Sequence, residues 1–298
     1  MTGNRPAHLL LQPQPEGHQD LSWLYRTTEL AEQAAALDAV VAPAPGPDVP
    51  VEPTTLAANL AARTSRIGLV ITTSAQYVAP YNTARVVNTL DNLSVGRAGW
   101  WLVAAAEDSD PALHPATTPE GRRWARAAEF TDVLHKLWES WESDAVVADK
   151  VSGVYVDETR LHPIEHEGEF FRVAGPLNLP RSPQLHPPLF AHVGNDAAAA
   201  EFARGHADVA VAHTRVPGVP LTLRVVTGLP DADQLAQAVA DGEVDGYVLR
   251  LTESDTAQFV TAVLPRLRDL GAARDAHESS TLRGHLGLAA AEPVGVLP

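Results

Sequence analysis

The stretch Leu90-Asp91-Asn92-Leu93-Ser94-Val95-Gly96-Arg97-Ala98-Gly99-Trp100 runs from leucine-aspartate through a small polar turn and a glycine-arginine pair into an apolar strand. Ahead of it lie a β-rich run, Ile67 to Thr73, and the segment Ala79-Pro80-Tyr81-Asn82-Thr83-Ala84-Arg85, whose proline suits a helix start. Strand, helix, turn and strand in that order make a parallel βα unit.

Outward from this unit, the chain keeps alternating β-branched or apolar runs with alanine-rich helical stretches. Strands are expected at Leu9 to Gln12, Leu37 to Ala42, Ile67 to Thr73, Ala98 to Ala104, Leu189 to Val193, Val209 to Ala212, Leu221 to Val226 and Tyr247 to Leu251. Helices are expected at Leu21 to Ala36 and Thr54 to Thr64, the latter with Thr54 as N-cap. Glu120 to Trp141 carries the stripe Phe130, Val133, Leu134, Leu137, Trp138 and Trp141, and Asp231 to Ala240 and Asp255 to Leu270 supply the last two helices. Eight strands with interleaved helices predict α/β architecture, a single (β/α)8 TIM-type barrel across residues 1–298; an open doubly wound sheet is the alternative. Residues 143–188 form a proline- and glycine-rich excursion without helical period, and 271–298 form a tail. The loop Ala42 to Pro53 follows the second strand, at the end of a barrel where active sites sit.

Composition narrows the function classes. The 298 residues suffice for one barrel of about 250 residues. Net charge is −15, which repels phosphate backbones and anionic lipid and argues against nucleic-acid binding. No apolar run reaches the roughly 18 residues of a membrane span, and the N-terminus has no signal-like apolar core, so a cytoplasmic location is expected. The absence of cysteine excludes disulfides, thiolate metal sites and cysteine nucleophiles.

The Leu90–Trp100 stretch resembles the fourth βα unit of bacterial-luciferase-like flavin monooxygenases, in the branch that includes nitrilotriacetate and dibenzothiophene-sulfone monooxygenases. Three more segments are similar to that family. They are Glu129 to Trp141, the long signature Phe170-Phe171-Arg172-Val173-Ala174-Gly175-Pro176-Leu177-Asn178-Leu179-Pro180-Arg181-Ser182-Pro183-Gln184, and the C-terminal stretch from Leu264-Pro265-Arg266-Leu267 through Thr281 to Leu288. Between Thr214 and Pro230 the chain is shorter than the family pattern. The resemblance implies a barrel using reduced FMN delivered by a separate flavin reductase, oxygen, a small-molecule substrate, and a homodimer.

The cofactor positions it implies are Thr73, Ser74, Trp101, Trp124, Gly194 and Asn195. Several neighbours depart from the pattern. Ala44 stands where the family has an aspartate; Trp101, Ala104 and Ala105 replace three polar residues of "G-W-N-x-V-T-S". Trp124 replaces a tyrosine, and Asp196 takes the serine position of the phosphate-binding "A-G-x-S-x-x-G". A carboxylate there repels phosphate, and its ordinary role is that of an N-cap. These changes motivate a second expectation, a flavin-free relative acting as a ligand-binding protein or oligomer partner.

Other patterns carry less. His162-Pro163-Ile164-Glu165-His166 matches "H-x-x-E-H", but Pro163 works against the shared helical face that zinc binding needs, so no metal site is expected. His114, His186, His192 and His213 lie near strand ends or loops as candidate proton donors, with His192 depending on the pleat of the fifth strand. Asn92-Leu93-Ser94 is a sequon that matters only in a secreted chain. No glycine-rich nucleotide loop is present, and no catalytic residue is singled out.

Overall fold

A buried guanidinium is costly unless its donors are met, and the chain meets those of Arg97 with carbonyls. Its Nε donates to Ser94 O at 2.7 Å; its Nη atoms donate to Ile67 O, Thr64 O and Ala61 O and to Thr64 Oγ1. Some of these are the open carbonyls at the end of a helix. One side chain from the opening stretch therefore ties that helix to two neighbouring strands.

The computed structural model describes residues 5–17, 20–104 and 120–293. Eight parallel strands close a barrel. They are β1 (His8–Pro13), β2 (Ala39–Val41), β3 (Gly68–Ser74), β4 (Ala98–Val103), β5 (Leu189–His192), β6 (Val209–Val211), β7 (Leu221–Thr227) and β8 (Gly246–Leu251). Each pairs with its neighbour in chain order, and β8 returns to β1 with His8 opposite Gly246. The helices are α1 (Ser22–Ala34), α2 (Pro53–Ala61), α3 (Pro80–Ser94), α4 (Arg123–Glu139), α5 (Ala197–His206), α6 (Ala232–Ala240), α7 (Glu253–Gln258), α8 (Leu264–Asp269) and α9 (Leu282–His285).

Two expectations change in detail. The N-cap of α2 is Glu52, whose carboxylate accepts from Thr54 N and Thr55 N at 2.9 Å, because Pro53 already occupies the first helical position. The single helix expected over Asp255 to Leu270 is two helices joined by a π turn at Phe259–Val263. No helix separates β6 from β7; residues 212–220 cross between parallel neighbours unaided, so the shortened region lacks a helix and the barrel still closes.

Strand pleating sorts the side chains. Leu10, Val41, Val70, Phe190, Val209, Leu223 and Val248 fill the interior, and Leu282 and Leu286 close its lower end from α9. Gly99 is required there: a Cβ would lie 2.8 Å from Leu282 Cδ2 and 3.2 Å from both Phe190 and Val70. Trp100 points the other way, into the helical layer, where its Nε1 donates to Pro187 O at 3.0 Å and its ring meets Trp138 edge-on at 5.8 Å.

The excursion holds a short antiparallel pair, His166–Glu167 with Arg172–Val173. Glu129 anchors it by accepting from Phe170 N at 3.0 Å and Phe171 N at 2.8 Å. Gln184 N and Nε2 donate to Asp91 at 2.9 and 2.6 Å, and Gln184 Oε1 accepts from Arg283 N at 2.8 Å. Three of the family-like motifs thus converge on one buried junction. Burial pushes the Asp91 carboxyl up, while the bonds from Gln184 pull it back. Among the described residues no helix is long and apolar enough to cross a membrane.

Candidate functional site at the barrel mouth

The inward parity that packs Leu10, Val70, Phe190 and Val248 inside continues, two residues on, to Gln12, Thr72, His192 and Arg250. With Ser74, Trp101 and Val103 they line a cavity of about 670 Å³ at the C-terminal ends of the strands. Ala44, Tyr77, Ala104, Arg123, Trp124, Gly194, Asn195 and Asp196 also line it. That volume lies within the usual range of small-ligand sites, roughly 300–1,000 Å³.

Of the six positions expected at a cofactor, Ser74, Trp101, Trp124, Gly194 and Asn195 line this cavity. Thr73 does not. It sits between the inward-facing Thr72 and Ser74, and its Oγ1 is buried on the opposite side of β3. Ala44 and Ala104 line the mouth as expected from their positions, whereas Ala105 and His114 fall outside the described residues.

Trp101 gives the mouth its floor: its ring stacks on Phe190 with centroids 6.4 Å apart and planes 27° apart, leaving it 6% exposed. Across the barrel, Arg250 Nε donates to Gln12 Oε1 at 2.8 Å. The side chains of this pair sit on adjacent strands in register, so the guanidinium is held in place for a ligand acceptor.

Asp196 organises the rim. As N-cap of α5 its Oδ1 accepts from Ala198 N at 2.9 Å and Ala199 N at 3.3 Å. Its Oδ2 accepts from Arg123 Nη2 at 2.9 Å and Trp124 Nε1 at 2.8 Å. Burial alone would raise its pKa, but the indole, the guanidinium and the two amides outweigh it and bring the carboxyl down to about 2. Trp124 in turn packs on Phe202 at 5.1 Å, fixing the start of α4 against α5.

The histidines divide. His192 faces the mouth, as the parity of Phe190 dictates. His186 lies away from it, stacked on His135 at 4.3 Å. His162 pairs with Glu142 at 2.8 Å and His166 with Glu129 at 3.1 Å, so the "H-x-x-E-H" residues turn to different partners. Among the described residues no group of three potential metal ligands converges.

Sequence reasoning passed over Gln12, Tyr77 and Arg250 as wall residues. A signal existed for two of them: Gln12 and Arg250 interrupt apolar strands at the inward parity. A polar side chain in that place has only the mouth to face.

The model of a luciferase-like monooxygenase family matches residues 4–218. The chain is 43% identical over 141 residues to dibenzothiophene-sulfone monooxygenase of Rhodococcus erythropolis, a match that covers 47% of this chain but 31% of that protein. It is 36% identical over 267 residues to one of the pristinamycin IIA synthase subunits of Streptomyces pristinaespiralis, covering 88% of this chain and 87% of that one. In structure it is similar to the EDTA monooxygenase of Chelativorans sp. BNC1, with a TM-score of 0.80 at 22% identity, covering 98% and 100% of the two chains.

Proposed function

This chain belongs to the luciferase-like monooxygenase family, and from that premise we propose that it is an oxidoreductase component whose barrel mouth receives a reduced flavin ring beside a small organic substrate. The observation that carries this reading is the cavity of about 670 Å³ with an aromatic floor at Trp101 and a polar side at Thr72, Ser74, Gln12 and Arg250. A flat ring system on Trp101 gains dispersion and apolar burial, and Arg250 with Gln12 can donate to a carbonyl at its edge.

FMN meets this site unevenly. The ring end fits by size and by lining. The phosphate end does not, because the donors at the start of α5 are already bonded to Asp196. The work assigned to the protein is therefore orientation and exclusion of water: Trp101 and Trp124 close apolar surface over the ligand, and Arg250 fixes its edge. The expected partners follow from the same reading. They are a separate flavin reductase in the cytoplasm and a second copy of the chain, for which α3 offers Val86 and Leu93 at its surface.

The test is an anaerobic titration with reduced flavin followed by tryptophan fluorescence. Saturable quenching in the micromolar range is expected; no quenching at about 100 µM, a binding free energy weaker than roughly 5.5 kcal/mol, refutes the reading. A second reading, a flavin-free partner chain, is favoured by Asp196 and by the near full-length likeness to a protein named as one subunit of a synthase. It predicts no quenching together with stable association with a second family member.

A further inference from the structure

We propose that the mouth selects a planar ligand carrying no phosphate, because Asp196 stands where such a group would bind. The inference deepens the flavin reading and rests on it. A helix N-terminus with a neighbouring cation is a ready anion site, and α5 with Arg123 has that form. Here its anion belongs to the chain. Two α5 amides, the Arg123 guanidinium and the Trp124 indole N–H all donate to the one carboxylate, at 2.8 to 3.3 Å.

Competition favours the built-in group. Asp196 is covalently held at its cradle, whereas a ligand phosphate must be brought there and must break four bonds in arriving. If it arrived without displacing the carboxylate, two anions would share a partly desolvated rim. The remaining polar wall, Gln12, Thr72, Ser74 and Arg250, suits a neutral ring with carbonyl and N–H edges.

The probes are reduced riboflavin and reduced FMN, which share the ring and differ by the phosphate, titrated anaerobically against the full chain by tryptophan quenching. The wild type is expected to bind riboflavin at least about tenfold more tightly than FMN. Asp196→Asn keeps a good N-cap while removing the charge, and is expected to tighten FMN and to shift the FMN-to-riboflavin affinity ratio toward FMN at least about tenfold. Asp196→Ser is a second variant with the same expectation, and the wild-type ratio stands even if both variants fold poorly. Wild-type preference for FMN, or an FMN affinity unchanged in both folded variants, overturns the proposal and leaves the flavin reading intact. Failure of the wild type and the variants to bind either probe removes the flavin reading and this proposal with it.

Discussion

Removing the plug at the bottom of the barrel gives a quantitative check on how the opening motif builds the fold. Leu282 is fully buried and its Cδ2 would lie 2.8 Å from any Cβ placed on Gly99. Leu282→Ala should cost about 3 kcal/mol through lost transfer free energy and a cavity. Gly99→Ala should cost about 1–2 kcal/mol, since overpacking outweighs the small gain from restricting the unfolded chain. In the double variant the new methyl group enters space vacated by Leu282, so the pair should be less destabilised than the sum by about 1 kcal/mol or more. Urea unfolding followed by far-ultraviolet circular dichroism measures all three. Additivity within about 0.5 kcal/mol would refute the claim that Gly99 is glycine to admit Leu282.

Other outcomes follow from the same contacts. His135 and His277 are held neutral mainly by burial, with pKa values brought down from 6.5 to about 3 and about 4. Their contribution is complete above pH 6.5 and is lost as pH falls toward 4 and then 3, so the unfolding free energy should drop across that window and His135→Phe should flatten the drop; a profile flat from pH 7 to 4 contradicts this. Arg97→Met should cost about 3 kcal/mol or more by leaving buried carbonyls unmet, read as a fall in thermal midpoint, with a loss below about 1 kcal/mol as the contrary result. Trp101→Ala should weaken ring binding about tenfold, whereas Trp100→Ala should leave binding nearly unchanged, although both truncate buried rings and should each destabilise by about 3–5 kcal/mol. Equal effects of the two neighbours on binding would contradict the assignment of their faces.

Much of the barrel was legible because its strands are short, β-branched and spaced by helical stretches; all eight expected strands lie within a residue or two of those observed. The Leu90–Trp100 stretch was readable for a physical reason. It packs a helix stop, a carbonyl-clamping arginine and an obligatory glycine into a few residues. Polarity alone puts Thr72, Thr73 and Ser74 at the mouth; the pleat keeps Thr72 and Ser74 there and turns Thr73 away. Gln12 and Arg250 were missed because they sit in otherwise apolar strands, although period-two counting from Leu10 and Val248 points both inward. The helix absent between β6 and β7 could be sensed as missing length, and because eight strands could still be counted the barrel was expected to close without it, as it does. The capture of Asp196 by Arg123 and Trp124 joins residues more than seventy positions apart, which no local pattern encodes.

The most direct test of the barrel-mouth assignment is a crystal structure of the full chain soaked with riboflavin. The ring is expected against Trp101, with an edge carbonyl within hydrogen-bonding reach of Arg250 and the side chain directed away from Asp196. A ring found elsewhere on the barrel, or a mouth still empty at saturating ligand, would contradict it.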